Sequence, residues 1–182
     1  MKTLIVYKGK YGATEQYAKW ISADLHVSAT DSTGLDAEEL NDGNLLIMGS
    51  SVYIGKLQIA KWVRENESRL LKLRLVLFVV SGTPVNQTAK LFTYVKNSLP
   101  PNIFRQCRVF FLPGRLVYDR LSRKDRFMLR VGAFFAGRTT GAQMLSGYDD
   151  VKKEHLNEML AYIRSLQDHA TDKENGKATA IH

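Results

Sequence analysis

The sequence predicts an α/β domain: a doubly wound, five-stranded parallel sheet with helices on both faces and a basic helical insertion after the fifth strand. Three observations lead there. Short β-rich apolar runs alternate with segments of helical spacing along most of the 182 residues, the pattern of a parallel sheet covered on both sides. Three strands end in small, glycine-containing loops just where a helix begins. One connection, residues 115–149, is far longer than a strand-to-helix loop requires.

Each element has its own signal. Residues 3–7, TLIVY, form a continuous buried-type strand. Residues 12–25 follow as a helix with Tyr17, Ala18, Ile21 and Leu25 on one face, and residues 26–29 make a weak strand. A helical turn starts at Asp36 after the Gly34 break, and residues 44–50 form a strand ending in small residues. Residues 58–72 read as a helix, and 73–80, LRLVLFVV, as the clearest strand. A helix over 86–97 stops before Pro100 and Pro101, and 107–114 form the fifth strand. The last helix, 149–166, sets Leu156, Met159, Leu160 and Ile163 at three-four spacing. The expected domain spans residues 1–168, with its insertion at about 115–148, and residues 169–182 form a small, polar, disordered tail.

Composition narrows the class. The chain is 45% hydrophobic and 24% charged, ordinary for a globular domain. Its longest apolar run, residues 75–80, is too short to span a bilayer, and Lys8 and Lys10 interrupt any signal-peptide pattern. A single cysteine, Cys107, excludes an internal disulfide and fits a cytoplasmic protein. It reads as a small core residue at a strand start. The net charge of +8 predicts attraction to anions. No nucleic-acid motif accompanies that charge, so no nucleic acid is expected as a partner. The four histidines form no cluster and no metal-ligand spacing occurs; no acid–base catalytic residue stands out.

The strand-end loops carry the chemistry, because ligands of open parallel sheets bind beyond the carboxyl ends of the strands. The first is Gly9, Lys10, Tyr11, Gly12, Ala13 and Thr14. Its glycines permit a tight turn with converging N–H groups, and the helix behind it offers its positive end. Thr14 adds a hydroxyl and Lys10 a charge. A phosphate cradle and a plain glycine turn with a helix cap both fit. The spacing matches neither the ATPase P-loop nor the dinucleotide fingerprint. The second loop, Ser50, Ser51, Val52, Tyr53, Ile54 and Gly55, offers Tyr53 for stacking a planar ligand. The third, Ser81, Gly82, Thr83 and Pro84, allows close backbone approach to a ring.

The N-terminal stretch resembles the flavodoxin signature: Ile5, Val6 and Tyr7, a loop with Gly12 and Thr14, then Ala18 and Ile21 on the helix. The resemblance implies that the first loop holds the phosphate of FMN and that the second and third loops border its isoalloxazine ring. Two positions where the family usually has Ser or Thr are held here by Gly9 and Tyr11.

The insertion departs from the acidic electron carriers of that family. Residues 115–138 hold seven basic residues against Asp119 and Asp125, a net of +5. A helix over 121–135 sets Arg123, Arg126 and Arg130 on one face, Leu121, Met128, Val131 and Phe135 opposite, and Phe127 and Phe134 between. Such a helix suits a membrane surface or an anionic ligand, or it packs its apolar face on the domain with its arginines solvated. With GRTTG at 137–141, this region is similar to the insertion of the menaquinone-dependent protoporphyrinogen IX dehydrogenases, a flavodoxin-fold family of haem biosynthesis. That resemblance implies an FMN-dependent oxidoreductase passing reducing equivalents from protoporphyrinogen to a quinone. Arg115, Arg123, Arg126, Phe127 and Arg130 would then contact the anionic tetrapyrrole or the inner face of the membrane, where the protein would sit peripherally. A flavodoxin-type electron carrier docking on a redox partner, an NAD(P)H quinone reductase and a flavin-free binding module remain open.

Overall fold

The computed structural model describes residues 2–35, 37–40, 44–135 and 147–179; side chains are described at these positions except 37, 120, 130, 132–135 and 169–179. The main sheet is built from β1 (Thr3–Lys8), β2 (Ala29–Asp31), β3 (Leu45–Tyr53), β5 (Arg74–Ser81) and β6 (Arg108–Pro113). A two-residue strand, β4 (Lys56–Leu57), folds back on the end of β3. The five main strands are parallel and run in the order β2-β1-β3-β5-β6. The chain winds outward in one direction through β2 and in the other through β5 and β6, so the order reverses between β1 and β3. That reversal leaves a crevice at the carboxyl ends of these strands.

Helices cover both faces because the strands are apolar on both. Along β1, Leu4 and Val6 point to one side and Ile5 to the other, the period-two alternation of a strand. The Ile5 side, with Ile47, Val76 and Phe78, packs on Tyr17, Ala18 and Ile21 of α1 (Ala13–Leu25) and on Met159 and Ile163 of α7 (Asn157–Thr179). The Leu4 side, with Leu46, Met48 and Leu77, packs on α2 (Ala60–Glu65), α3 (Glu67–Leu70), α4 (Thr88–Lys96) and α5 (Pro101–Gln106), through Val63, Leu70, Val95 and Ile103. Tyr17, fully buried, donates its hydroxyl to the Pro113 carbonyl at 3.0 Å and ties α1 to the end of β6.

Several expectations shift. The weak strand at 26–29 lies instead at Ala29–Asp31, because His26 ends α1 in the left-handed conformation (φ 53°) and the chain needs two further residues to reach the sheet edge. The helix expected over 58–72 breaks at Asn66, whose side chain donates to the Trp62 carbonyl. Pro101 does not end structure; it starts α5 from the first helical position, where its missing N–H costs nothing. Cys107 stands one residue before β6, half-buried against the core, and burial pushes its thiol up to about 12. The last helix begins at Asn157, since residues 148–149 are taken up by a strand, β8 (Tyr148–Asp149), antiparallel to β7 (Arg115–Leu116). The helical backbone continues to Thr179, into the segment read as a tail; extending a packed helix is far easier than nucleating one. The insertion holds α6 (Arg123–Phe135), two residues shorter at its start than expected. The GRTTG segment lies outside the described residues.

Candidate functional site

The three loops meet at the crevice because β1, β3 and β5 are neighbours in the sheet. The first loop turns on Gly12, which precedes α1 at φ 81°, a conformation glycine takes without a Cβ penalty. Thr14 follows in the first turn of α1. It is 1% exposed, and its hydroxyl has no partner. A buried polar atom without a partner is costly, and here it lies among the first-turn N–H groups that a helix cannot satisfy internally. This donor set fits a phosphate monoester. Gly9 presses on the same residue: a Cβ there would stand 2.8 Å from both the Cβ and the Oγ1 of Thr14. A side chain at position 9 would therefore force Thr14 to shift.

The second loop is more ordered than the sequence suggests. Val52 and Tyr53 belong to β3 and pair with Leu57 and Lys56 across a two-residue turn of Ile54 (φ 50°) and Gly55 (φ 69°). Positive φ at both positions is what tight hairpins require, and Asn-Gly is the favoured pair. Ile54, 62% exposed, is therefore strained without compensating burial. Ile54→Asn is expected to stabilise the fold by about 1 kcal/mol, the usual cost of a left-handed β-branched residue, read as a higher midpoint in urea. Ser50 is not available to a ligand: its buried hydroxyl donates to the Ser51 carbonyl at 3.0 Å and accepts the Ile59 N–H at 3.2 Å. Ser51 differs. Its buried hydroxyl, like that of Thr14, has no partner. In the third loop Ser81 accepts the Thr83 N–H and donates to the Thr83 carbonyl, closing a turn. Tyr148 of β8 overlies this loop so closely that a Cβ on Gly82 would fall inside contact with its hydroxyl.

The insertion joins the site through a residue the sequence reading counted only as a negative charge. Asp125 of α6 is 8% exposed. It accepts Lys10 Nζ at 2.6 Å, the Tyr53 hydroxyl at 2.6 Å, and the Tyr11 hydroxyl. Ser122 caps this turn of α6, its hydroxyl accepting the Asp125 N–H at 3.2 Å. The Lys10 ammonium also lies 3.8 Å from the centroid of the Tyr53 ring. Tyr53, expected to be free for stacking, thus has a cation on its face and a carboxylate on its hydroxyl. Burial by itself would raise the Asp125 carboxyl, but the hydrogen bonds from Lys10, Tyr11 and Tyr53 outweigh it and hold that group well below the usual carboxylate range. Burial would likewise lower Lys10, and its bonds to Asp125 and Tyr53 hold it above its ordinary value. The stabilisation from this pair is complete between the ordinary values of 3.8 and 10.5. It is lost as pH falls toward the depressed carboxyl value or rises toward the elevated lysine value.

The other insertion residues separate into two groups. Arg115 pairs with Asp149 at 3.6 Å across the β7–β8 ribbon, and Arg126 folds back on the Asp119 carbonyl and the Tyr118 ring, while the buried Nε of each has no partner. Arg123 is exposed, as are Phe127 (68%), Met128 and Val131. Of the described residues on the expected apolar face, Leu121 is buried while Met128 and Val131 are exposed, and the helix is anchored at Asp125; the side chain of Phe135 lies outside the described ones. The side chain of Arg130 lies outside the described ones. The residues missed from sequence are Asp125 and Tyr148.

A family model described as a flavodoxin domain matches residues 4–141. The protoporphyrinogen IX dehydrogenase (quinone) of Escherichia coli strain K12 is 22% identical over 183 residues, covering 95% of this chain and 98% of that protein. Its counterpart in Escherichia coli O157:H7 gives the same figures. Among solved structures, a flavodoxin from the domain Archaea aligns with 80% of this chain and 95% of its own at 15% identity and a TM-score of 0.40. Oxidised flavodoxin 2 from Bacillus cereus aligns with 62% and 84% at 22% identity and a TM-score of 0.40.

Proposed function

The chain belongs to the flavodoxin-domain family, and from that premise we propose that it is an FMN-dependent oxidoreductase that oxidises protoporphyrinogen IX to protoporphyrin IX with a quinone as acceptor. A flavin-linked redox role follows from the family. The narrower reading is supported by a likeness that runs the full length of a protoporphyrinogen IX dehydrogenase, insertion included. The observation that carries it is the seating of the basic helix α6 directly on the flavin loops through Asp125. A substrate bearing carboxylates would meet Arg123 and Lys124 beside the flavin edge.

FMN, when bound, supplies the redox chemistry; the protein supplies position and electrostatics. Thr14 and the first turn of α1 would hold the phosphate, and the unpartnered Ser51 hydroxyl would be a further donor toward the cofactor. The third loop would border the ring, and Gly82 leaves room there for the Tyr148 hydroxyl. Phe127, Met128 and Val131 give α6 an apolar edge among its basic residues, which suits the headgroup region where a lipid quinone is reached. No helix among the described residues is long and apolar enough to cross a membrane, so contact would be peripheral.

The test is anaerobic turnover of protoporphyrinogen IX by the FMN-loaded protein with a menaquinone in liposomes and no other protein. Porphyrin fluorescence should rise in step with quinol. Turnover that appears only with an added redox protein would assign an electron carrier, and direct NAD(P)H oxidation would assign a quinone reductase.

A further inference from the structure

We infer that Asp125 is an internal rival of the flavin phosphate: an anion delivered by the insertion that takes Lys10 and Tyr11 from the phosphate loop and so sets the affinity and selectivity of the site for FMN. The inference rests on the flavin reading above and assigns a role to a residue outside the three loops.

The geometry is that of an anion site already filled from within. Lys10 is the only cation in the first loop, and it is directed to Asp125 at 2.6 Å rather than toward Thr14. Tyr11, the other residue of that loop with a polar side chain besides Thr14, is bonded to the same carboxylate. Tyr53 completes the set from the second loop at 2.6 Å. Three donors from the two loops that flank the crevice between β1 and β3 thus converge on one buried carboxylate. Meanwhile Thr14, buried in the same loop, has no partner. The loop therefore presents its neutral donor to a ligand and withholds its charge.

Two consequences follow from elementary electrostatics. A phosphate dianion arriving at Thr14 is repelled by Asp125 and attracted by Lys10, so binding is favoured when the Asp125–Lys10 pair separates. Because Asp125 lies in the third residue of α6, separation also frees the insertion from the loops. A ligand without phosphate gains nothing from Lys10. FMN occupancy and the position of the insertion are then linked, each biasing the other.

The test compares FMN and riboflavin binding to apoprotein of wild type, Asp125→Asn, and Asp125→Asn combined with Lys10→Met, by quenching of flavin fluorescence. Asparagine keeps the size of the side chain and can still accept the tyrosine hydroxyls, so the fold is preserved; circular dichroism confirms it. Asp125→Asn should bind FMN about tenfold more tightly, the worth of one charge-assisted hydrogen bond, with riboflavin unchanged. The added Lys10→Met should erase the gain. An equal gain for both flavins would overturn the rivalry, because Asp125 would then be a steric cover only. Unchanged or weaker FMN binding by Asp125→Asn would overturn it as well, while leaving the flavin reading intact. Absence of FMN binding in all three proteins would instead overturn the flavin reading, and this inference with it.

Discussion

Apoprotein titrated with FMN and with riboflavin is expected to bind FMN at least about 100-fold more tightly. The two ligands share the isoalloxazine ring and differ in the phosphate. That group would receive the Thr14 hydroxyl and the first-turn N–H groups of α1, and a hydrogen bond to a charged group contributes about 1.5–3 kcal/mol. Two such bonds, about 3–6 kcal/mol together, correspond to a factor of roughly 100 to 20,000. Thr14→Ala should therefore lower FMN affinity about 10- to 100-fold while leaving riboflavin unaffected. Lys10→Ala should cost less, since Asp125 already engages that ammonium at 2.6 Å. Equal affinity for both flavins would remove the phosphate role of the first loop. A larger loss from Lys10→Ala than from Thr14→Ala would move that role from the buried hydroxyl to the lysine.

Gly49→Ala is expected to destabilise the fold by about 2–3 kcal/mol, near the upper end of the usual overpacking cost. Gly49 lies in the middle of β3 and pairs in register with Phe78 of β5. Phe78 is fully buried, and its ring passes over the glycine so closely that a Cβ would overlap the ring atoms. The ring belongs to the close-packed layer that holds Ile5, Ile47 and Val76 together with residues of α1 and α7, so moving it disturbs that packing. For a chain of this size the melting temperature should fall by about 5–10 °C. Differential scanning calorimetry of wild type and variant measures it. An unchanged melting temperature would mean that Phe78 has a second, equally packed rotamer.

The insertion gives the two halves of this protein different physical characters. The sheet and its helices are held by continuous apolar layers on both faces, which hold the three loops in fixed relation to one another. Helix α6 is instead held at its start by charge and hydroxyl contacts on Asp125, while Phe127, Met128 and Val131 remain exposed. A sheet packed through apolar layers is thereby joined to an element attached through ionic and hydroxyl contacts.

How much of this was legible in the sequence follows from the range of each interaction. The strands at β1, β3 and β5 were readable because burial on both faces leaves an unbroken apolar run, a local signal that needs no knowledge of the partner strand. The glycine loop before α1 was readable for the same reason: positive φ at Gly12 and the donor set around Thr14 arise within six residues. Helix α5 and the β7–β8 ribbon were not, since a six-residue helix that itself begins at Pro101 and two paired dipeptides carry too little periodicity. Ser50 and Ser51 are adjacent and chemically identical, yet the fold spends the first on Ile59 and leaves the second unpartnered; alternation across a strand end decides that, and composition does not record it. Asp125 marks the limit most sharply. In the sequence it subtracts one charge from a basic helix, 115 positions from Lys10 and 72 from Tyr53. Only the tertiary structure, by returning the chain from the end of β6 over the carboxyl ends of β1 and β3, places that carboxylate among three donors, because a long-range electrostatic contact depends on where the backbone is carried and leaves no local trace in the residues that make it.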